Sequence, residues 1–475
     1  MNKIYILNNF IHSSTTQIFY LPTIFMAYAV EVEFMQKKAI IKISPPGPKA
    51  RKIISKDRKF IATATKTSPI AAKRARGAIV EDVDGNTYLD FTSGVAVVNV
   101  GHCHPKVVEA VQKQAQELMH FAGTDFYYDV QNRLAEMLTK ITPGRGDKKV
   151  FFTNSGTESN ECAIKLAKWS TKRKRFISFI NAFHGRTMGS LSLTASKVVH
   201  RDRYFPMMEG VTHVPYAYCY RCAYKMKYPD CDVWCAKILD EVYFNTFVPP
   251  NEVAALFMEP VQGEGGYIFP PKKFIQEIRK ITKKYGIIMV DDEIQTGFAR
   301  TGKMFAIEHY GVLPEIFTIA KGMGSGMPIG ATVFQAKYDF RVTGAHSNTY
   351  GGNLVACASA LASIEVIKKG KLMERAARLG KIVSKRLNEM KEKHKLIGDA
   401  RGIGLMQAVE LVKNRRTKTP AKKEVEKILE YSYKNGLVLL PSGNSGIRLI
   451  PPLVISEEEL NEGLDIFEKA FTNIK

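Results

Sequence analysis

The chain has 475 residues, 45% of them hydrophobic and 24% charged. That is enough apolar material for a large core and too little bias for a disordered or fibrous protein. The formal net charge is +23 and the pI is near 9.5. The lysines and arginines are dispersed over helical stretches such as 272–284 and 381–395, with no aromatic-basic motif beside them, so the charge reads as a solvated basic surface and not as a nucleic-acid site.

Taken in chain order, residues 17–30 are apolar and aromatic but interrupted by Pro22, and the stretch is too short to span a bilayer. Ala27-Tyr28-Ala29 resembles a signal-peptide cleavage site. Against that, residues 8–17 are polar and Lys3 is the only early positive charge, so the expectation is a start at Met35 and a cytoplasmic protein. Residues 1–38 are set apart as an extension. Ser44-Pro45-Pro46-Gly47-Pro48 is a turn-rich entry, and residues 77–91 read as a hairpin about Asp84-Gly85-Asn86. Short apolar runs follow at 150–153, 176–180, 253–258, 287–290, 316–320 and 331–334, with amphipathic stretches such as 158–170 and 272–285 between them. Apolar strands alternating with helices imply an α/β fold with a mostly parallel sheet covered on both faces. After residue 350, helical patterns at 353–368, 371–395 and 424–435 dominate, with strands near 402–410, 437–440 and 447–449. The expected organisation is a large domain over 94–350 and a smaller α+β domain built from 39–93 and 351–475.

In open α/β sheets, ligands gather at the carboxyl ends of strands, and three such ends carry chemistry here. Phe151-Phe152-Thr153-Asn154-Ser155-Gly156-Thr157-Glu158 passes from strand to helix; Gly156 and Thr157 could offer backbone N–H groups to an anion, although capping by Ser155 or Thr157 explains the same residues. The strand at 286–290 runs into Asp291-Asp292-Glu293-Ile294-Gln295, an acidic cluster that is costly beside a buried strand unless partnered. It is either a surface turn or a carboxylate for a cofactor's ring nitrogen. The strand at 316–320 ends at Lys321, followed by Gly322-Met323-Gly324-Ser325-Gly326. A lysine there is either a snorkelling surface residue or a desolvated amine suited to Schiff-base chemistry. The glycines do not make a dinucleotide fingerprint, because Met327 stands where the third would fall.

The ordered set of motifs resembles the class-III aminotransferases, which belong to the fold type I pyridoxal-phosphate enzymes, from about Pro46 to the C-terminus. Besides these three strand ends it includes Phe183-His184-Gly185-Arg186-Thr187, Glu259-Pro260-Val261-Gln262-Gly263-Glu264-Gly265-Gly266, Thr296-Gly297, Asn348-Thr349-Tyr350-Gly351-Gly352-Asn353 and Ile447-Arg448-Leu449. The resemblance implies pyridoxal 5′-phosphate as cofactor, bound to Lys321 as a Schiff base, with Lys321 then shuttling the substrate proton. It implies Asp292 at the pyridine nitrogen, Gln295 near the ring hydroxyl, Phe183 stacked on the ring, and Gly156 and Thr157 at the phosphate. Thr349 would reach the other subunit's phosphate in a homodimer. Arg448 would be the α-carboxylate fork, Glu264 the switch that neutralises it, and Arg186 a ligand for a distal carboxylate. No metal is implied.

The resemblance leaves two activities open. One is transfer of an amino group from an ω-amino acid (4-aminobutyrate, ornithine or acetylornithine) to 2-oxoglutarate; the other is racemisation or epimerisation of an amino acid. Glu264 with Arg448 favours transfer. Ornithine-specific relatives carry a tyrosine where this chain has Val95, which leans toward 4-aminobutyrate. Cys219, Cys222, Cys231 and Cys235 depart from the common pattern. They could bind zinc, pair as disulfides, or stay as thiols.

Overall fold

The computed structural model describes residues 38–474, so the features read at 1–35 lie outside the described residues. Helix α1 (Pro48–Phe60) leads into three antiparallel strands, β1 (Ala72–Arg76), β2 (Ile79–Asp82) and β3 (Thr87–Asp90). The β2–β3 turn is the expected one. Gly85 takes φ 87°, and Asp82 Oδ1 accepts from the N–H groups of Asp84 and Asn86, both at 2.9 Å, the local bonding that makes Asp a turn residue.

Two helices not singled out from the sequence follow, α2 (Pro105–Glu117) and α3 (Asp129–Ile141). Pro at the first helical position of α2 and the spacing of buried Val130, Leu134 and Leu138 in α3 are the signals for them. The central sheet comprises β4 (Lys148–Thr153), β5 (Arg175–Phe179), β6 (Val211–Val214), β7 (Val253–Met258), β8 (Ile288–Asp292), β9 (Ile316–Ile319) and β10 (Gly330–Gln335), in spatial order β4-β10-β9-β8-β7-β5-β6. All six residues of β7 are buried, as a strand covered on both faces requires. Its Val253, Leu256, Phe257 and Met258 side chains contribute about 1.5–3 kcal/mol each on burial. The cover includes α4 (Gly156–Thr171) and α5 (Lys272–Lys284); α5 buries Phe274, Ile275, Ile278 and Ile281 along one stripe.

The sheet is mostly parallel, as expected, with one strand reversed: β10 is antiparallel to both β9 and β4. A parallel neighbour needs a long crossover, which the short loop 320–329 after β9 cannot supply. That loop therefore doubles back at the sheet's carboxyl edge, carrying Lys321 with it.

The C-terminal part holds α6 (Leu354–Lys369), α7 (Leu372–Lys393), β11 (Ile397–Ile403), β12 (Met406–Leu411), α8 (Lys422–Lys434), β13 (Leu437–Val438), β14 (Leu440–Ser442), β15 (Gly446–Leu449) and α9 (Glu457–Asn473). The single strand expected at 402–410 is two, turning at Gly404, whose φ is 57°. The strand expected at 437–440 is also divided. Its first half, β13, pairs in parallel with β3, and its second, β14, joins the antiparallel sheet β11-β12-β15-β14. The N-terminal hairpin thus shares a sheet with a strand from the far end of the chain.

Arg300 is fully buried where these parts meet. It donates to the carbonyls of Pro451 (2.6 Å) and Leu405 (3.1 Å) and to Asn99 Oδ1 (2.7 Å). Burial pushes its guanidinium down to about 10.

The four-cysteine segment bridges toward the C-terminal sheet. Tyr218 Oη and Arg221 Nε both donate to Glu410 of β12. The four thiols are unpaired, and among the described residues no three His, Cys, Asp or Glu side chains are arranged to hold a metal ion. Burial and the neighbouring thiols push Cys235 up to about 12. Among the described residues no helix is long and apolar enough to cross a membrane.

Candidate active site

Strands β4, β5, β7, β8 and β9 all end at one cavity of about 450 Å³. Residues expected from five separate motifs meet in its walls: Gly156, Thr157, Phe183, Arg186, Glu264, Asp292, Gln295 and Lys321.

After β4, Ser155 caps α4 by accepting from Glu158 N–H at 3.4 Å. The cap leaves other first-turn N–H groups without partners inside the helix, so capping and anion binding are compatible here. Gly156 allows close approach: a Cβ there would lie 2.7 Å from Ile294 Cδ1. The Thr157 hydroxyl is already engaged. It accepts from the N–H groups of Arg186 and Thr187, each at 3.2 Å, and shares a hydrogen bond with Ser190 Oγ at 2.5 Å. Gly185 (φ 137°) makes this possible, since a Cβ there would come within 2.2 Å of Thr157 Oγ1.

After β8, the two adjacent acids separate. Asp292 lines the cavity and Asp291 does not, as side chains alternate along a strand. Asp292 Oδ2 accepts from Asn160 Nδ2 at 2.8 Å and lies 2.7 Å from His184 Nδ1; Oδ1 accepts from Ile294 N–H at 3.1 Å. Asn160 is held by Thr318 Oγ1 at 2.9 Å. Asp291 is fully buried, and burial beside Glu293 and Asp292 pushes its carboxyl well up. Gln295 is buried at the cavity wall with Oε1 unpartnered.

Lys321 follows β9 with φ 42°, a left-handed conformation that costs about 1 kcal/mol or more for a residue with a Cβ. Gly322 beside it is obligatory: a Cβ would lie 2.4 Å from Asn99 Nδ2. Burial pushes the Lys321 ammonium below the ordinary lysine range, with Asp292 acting in the other direction. The result is an amine that is neutral at lower pH than a surface lysine, as a nucleophile needs.

Glu264 borders the cavity and reaches Arg448 of β15, Oε2 to Nη1 3.3 Å. Burial raises the Glu264 carboxyl, but Arg448 and Lys197 more than offset it and hold it below the ordinary range. Arg186 is exposed and lies over the Phe183 ring, 5.7 Å from its centroid.

Three expected residues stand apart from the wall, Arg448 meeting it only through Glu264. Thr349 is exposed and does not line the cavity; its neighbour Asn348 donates to Phe152 O at 2.8 Å. Val95, singled out for substrate choice, also lies outside the wall. The chain kinks through Gly94 and Val95 (φ 59° and 66°), leaving Val95 exposed, and Val97 reaches the cavity instead.

Sequence reasoning gave no role to four residues that hold this arrangement. His184 and Asn160 position Asp292. Glu259 accepts from the N–H groups of Phe183 (2.9 Å) and Gly263 (2.8 Å), fixing both the ring and the Glu264 loop; burial pushes its carboxyl up. Arg401 of β11 donates to the carbonyls of Gly266 and Tyr267, at 2.5 and 2.7 Å, clamping that loop from the other side. His184 and Glu259 lie inside the motifs already quoted, which is the one signal they offered.

The aminotransferase class-III family matches residues 60–471. The chain is 41% identical to a probable 4-aminobutyrate aminotransferase of Bacillus subtilis, over 84% of this chain and 92% of that protein. It is 36% identical to an alanine/serine racemase of Pyrococcus horikoshii, over 95% and 96%. A crystal structure of a Bacillus anthracis aminotransferase superposes with a TM-score of 0.83 at 32% identity, covering 90% of this chain and 99% of that one. With its sheet order, its strand-end site and this family match together, the chain belongs to the class-III aminotransferases and has their fold type I architecture.

Proposed function

We propose that the protein uses pyridoxal 5′-phosphate to move an amino group from an ω-amino acid, 4-aminobutyrate-like, to 2-oxoglutarate. The observation that carries this reading is the Glu264–Arg448 pair, 3.3 Å apart, at the edge of a cavity that also holds Lys321 and Asp292. The residues present fit the cofactor. The N-terminus of α4 offers N–H groups to a phosphate, Gln295 Oε1 is buried without a partner, and Asp292 is held by three groups in position for a ring nitrogen. Bound there, the cofactor would supply an electron sink for the carbanion left when the substrate loses a proton.

The chain's own residues do the rest. Lys321 Nζ would hold the cofactor covalently and, when free, would carry the proton from the substrate carbon. Asp292 would keep the ring nitrogen protonated, with His184 and Asn160 keeping Asp292 oriented. Phe183 would pack on the ring face and Gln295 would bond its hydroxyl. Glu264 neutralises Arg448 while an ω-amine donor, which has no α-carboxylate, occupies the site; the α-carboxylate of 2-oxoglutarate then displaces it. Arg186, at the rim, suits the donor's distal carboxylate.

We read residues 94–350 as the cofactor-binding domain, with 39–93 and 351–475 forming the smaller one, and the protein as a cytoplasmic homodimer in which Thr349 serves the partner's phosphate site. An exposed apolar surface supports the dimer. Met119, Phe121, Tyr127 and Tyr350 are 63%, 56%, 96% and 62% exposed, large apolar side chains of the kind that a partner surface covers.

A racemase is the second reading, favoured by the Pyrococcus horikoshii relative that spans nearly the whole chain. Incubation with 4-aminobutyrate, ornithine, acetylornithine and L-alanine, with and without 2-oxoglutarate, separates the two readings. Glutamate formed only with the keto acid supports transfer, and D-alanine formed without it, with no transfer, replaces it. Glu264→Ala is expected to slow the ω-amine half-reaction on the order of tenfold or more, since a guanidinium is left unpaired, while sparing the half-reaction with glutamate. Single-turnover spectroscopy of each half-reaction measures this, and equal rates in both would remove the switch.

A further inference from the structure

Glu264 does not serve Arg448 alone. Its other oxygen, Oε1, accepts from Lys197 Nζ at 2.5 Å, while Oε2 faces Arg448 Nη1 at 3.3 Å. The carboxylate therefore bridges two cations of different character. Arg448 is buried on a strand, whereas Lys197 is 30% exposed beside the short turn Val198–His200. Lys197 belongs to none of the motifs that carry the family resemblance, and among the described residues Glu264 is its single ion-pair partner. It also lines a second cavity of about 740 Å³, whose wall includes Ser442 and Gly443. Gly443 N–H donates to Glu264 O at 2.9 Å, so the backbone of Glu264 is pinned while its side chain is shared.

We infer that Lys197 is a positioning residue for the carboxylate exchange at Arg448: it holds Glu264 once a substrate's α-carboxylate has taken the guanidinium. The inference rests on Arg448 being the α-carboxylate fork. A displaced Glu264 with no second cation would be a partly buried, uncompensated charge, and the exchange would be opposed. With Lys197 present, the carboxylate gives up one ion pair and keeps the other. Lys197 is flexible and its head is wet, which suits a partner that must follow a moving side chain. It touches no reacting atom, so it should affect how well an α-carboxylate binds and not how fast the proton moves.

Binding of 2-oxoglutarate to the resting holoenzyme, followed by calorimetry, reads the exchange without turnover, because that form has no amino group to give. Lys197→Met should weaken binding about fivefold, the upper end of the loss expected when a partly exposed ion pair is removed. Lys197→Arg should recover most of it. In a Glu264→Ala background, Lys197→Met should change binding less than about twofold, because the two residues then no longer act in series. In the half-reaction with glutamate, Lys197→Met should raise KM by the same factor and leave kcat nearly unchanged. An equal loss in the Glu264→Ala background would overturn the inference, since Lys197 would then bind the substrate carboxylate directly. Unchanged binding in Lys197→Met with Glu264 intact would also overturn it. If the wild type racemises and transfers nothing, the aminotransfer reading falls, but the same four-variant comparison still holds with L-alanine as titrant, because it carries the same α-carboxylate.

Discussion

Replacing Lys321 with alanine is expected to lower turnover by more than about 10⁴-fold, because in the proposed mechanism one side chain would supply both the covalent anchor and the proton carrier. The fold should survive. Lys321 already pays for a left-handed backbone at φ 42°, and removing an amine that burial disfavours in its charged form takes away a desolvation cost. Thermal unfolding should therefore show a Tm no lower than that of the unloaded wild type, while the visible absorbance of lysine-bound cofactor disappears. A pH series adds a signature. The neutral amine forms as pH rises, and its pKa lies below the ordinary lysine value, so cofactor loading of the wild type should reach its plateau at a lower pH than loading onto a surface lysine. Wild-type turnover by Lys321→Ala would remove the central assignment.

The second large effect is expected at β8. Asp292→Asn should lower kcat by about 10²–10³-fold, the scale seen when a preorganised electrostatic contact to a reacting group is lost. Cofactor affinity should fall far less, since the phosphate and ring-face contacts remain. The adjacent acid is the control. Asp291 is fully buried, away from the cavity, with its carboxyl pushed well up. Asp291→Asn keeps nearly the same shape at a position away from the cavity and should keep activity within a few-fold. Steady-state kinetics of both variants with quantified bound cofactor decides the matter. Loss in Asp291→Asn and retention in Asp292→Asn would reverse the assignment.

Much of this was legible in the sequence because chemistry and secondary structure coincide at strand ends. An apolar run followed by Asp291-Asp292 or by Lys321 marks a buried strand and its functional exit together, and β7 matches the run 253–258 residue for residue. Strand direction was not legible, since residues 330–335 read the same either way; only the shortness of the loop before them indicates the reversal. The hairpin over 397–411 was read as one strand at 402–410 because Asp399 and Arg401 mask the apolar alternation of its first half. Gly404 was its one mark, and the reason for it lies far away, since a Cβ there would meet the backbone of Thr301 at 2.5 Å. Arg401 and Lys197 had no local signal. The loop groups they hold, Tyr267 O and Glu264, lie 134 and 67 residues away, and periodicity carries no information over such distances.

The pairing of β3 with β13 has a consequence for how the protein is made. Leu89 finds its partner at Leu437, roughly 350 residues later, which at about 5–20 residues per second is about 20–70 s of synthesis. Throughout that interval β3 lies at the sheet's open edge, a template for stray pairing between neighbouring nascent chains. The enzyme's first-made sheet is among the last to be completed, so the ribosome must release nearly the whole chain before its opening strands are closed.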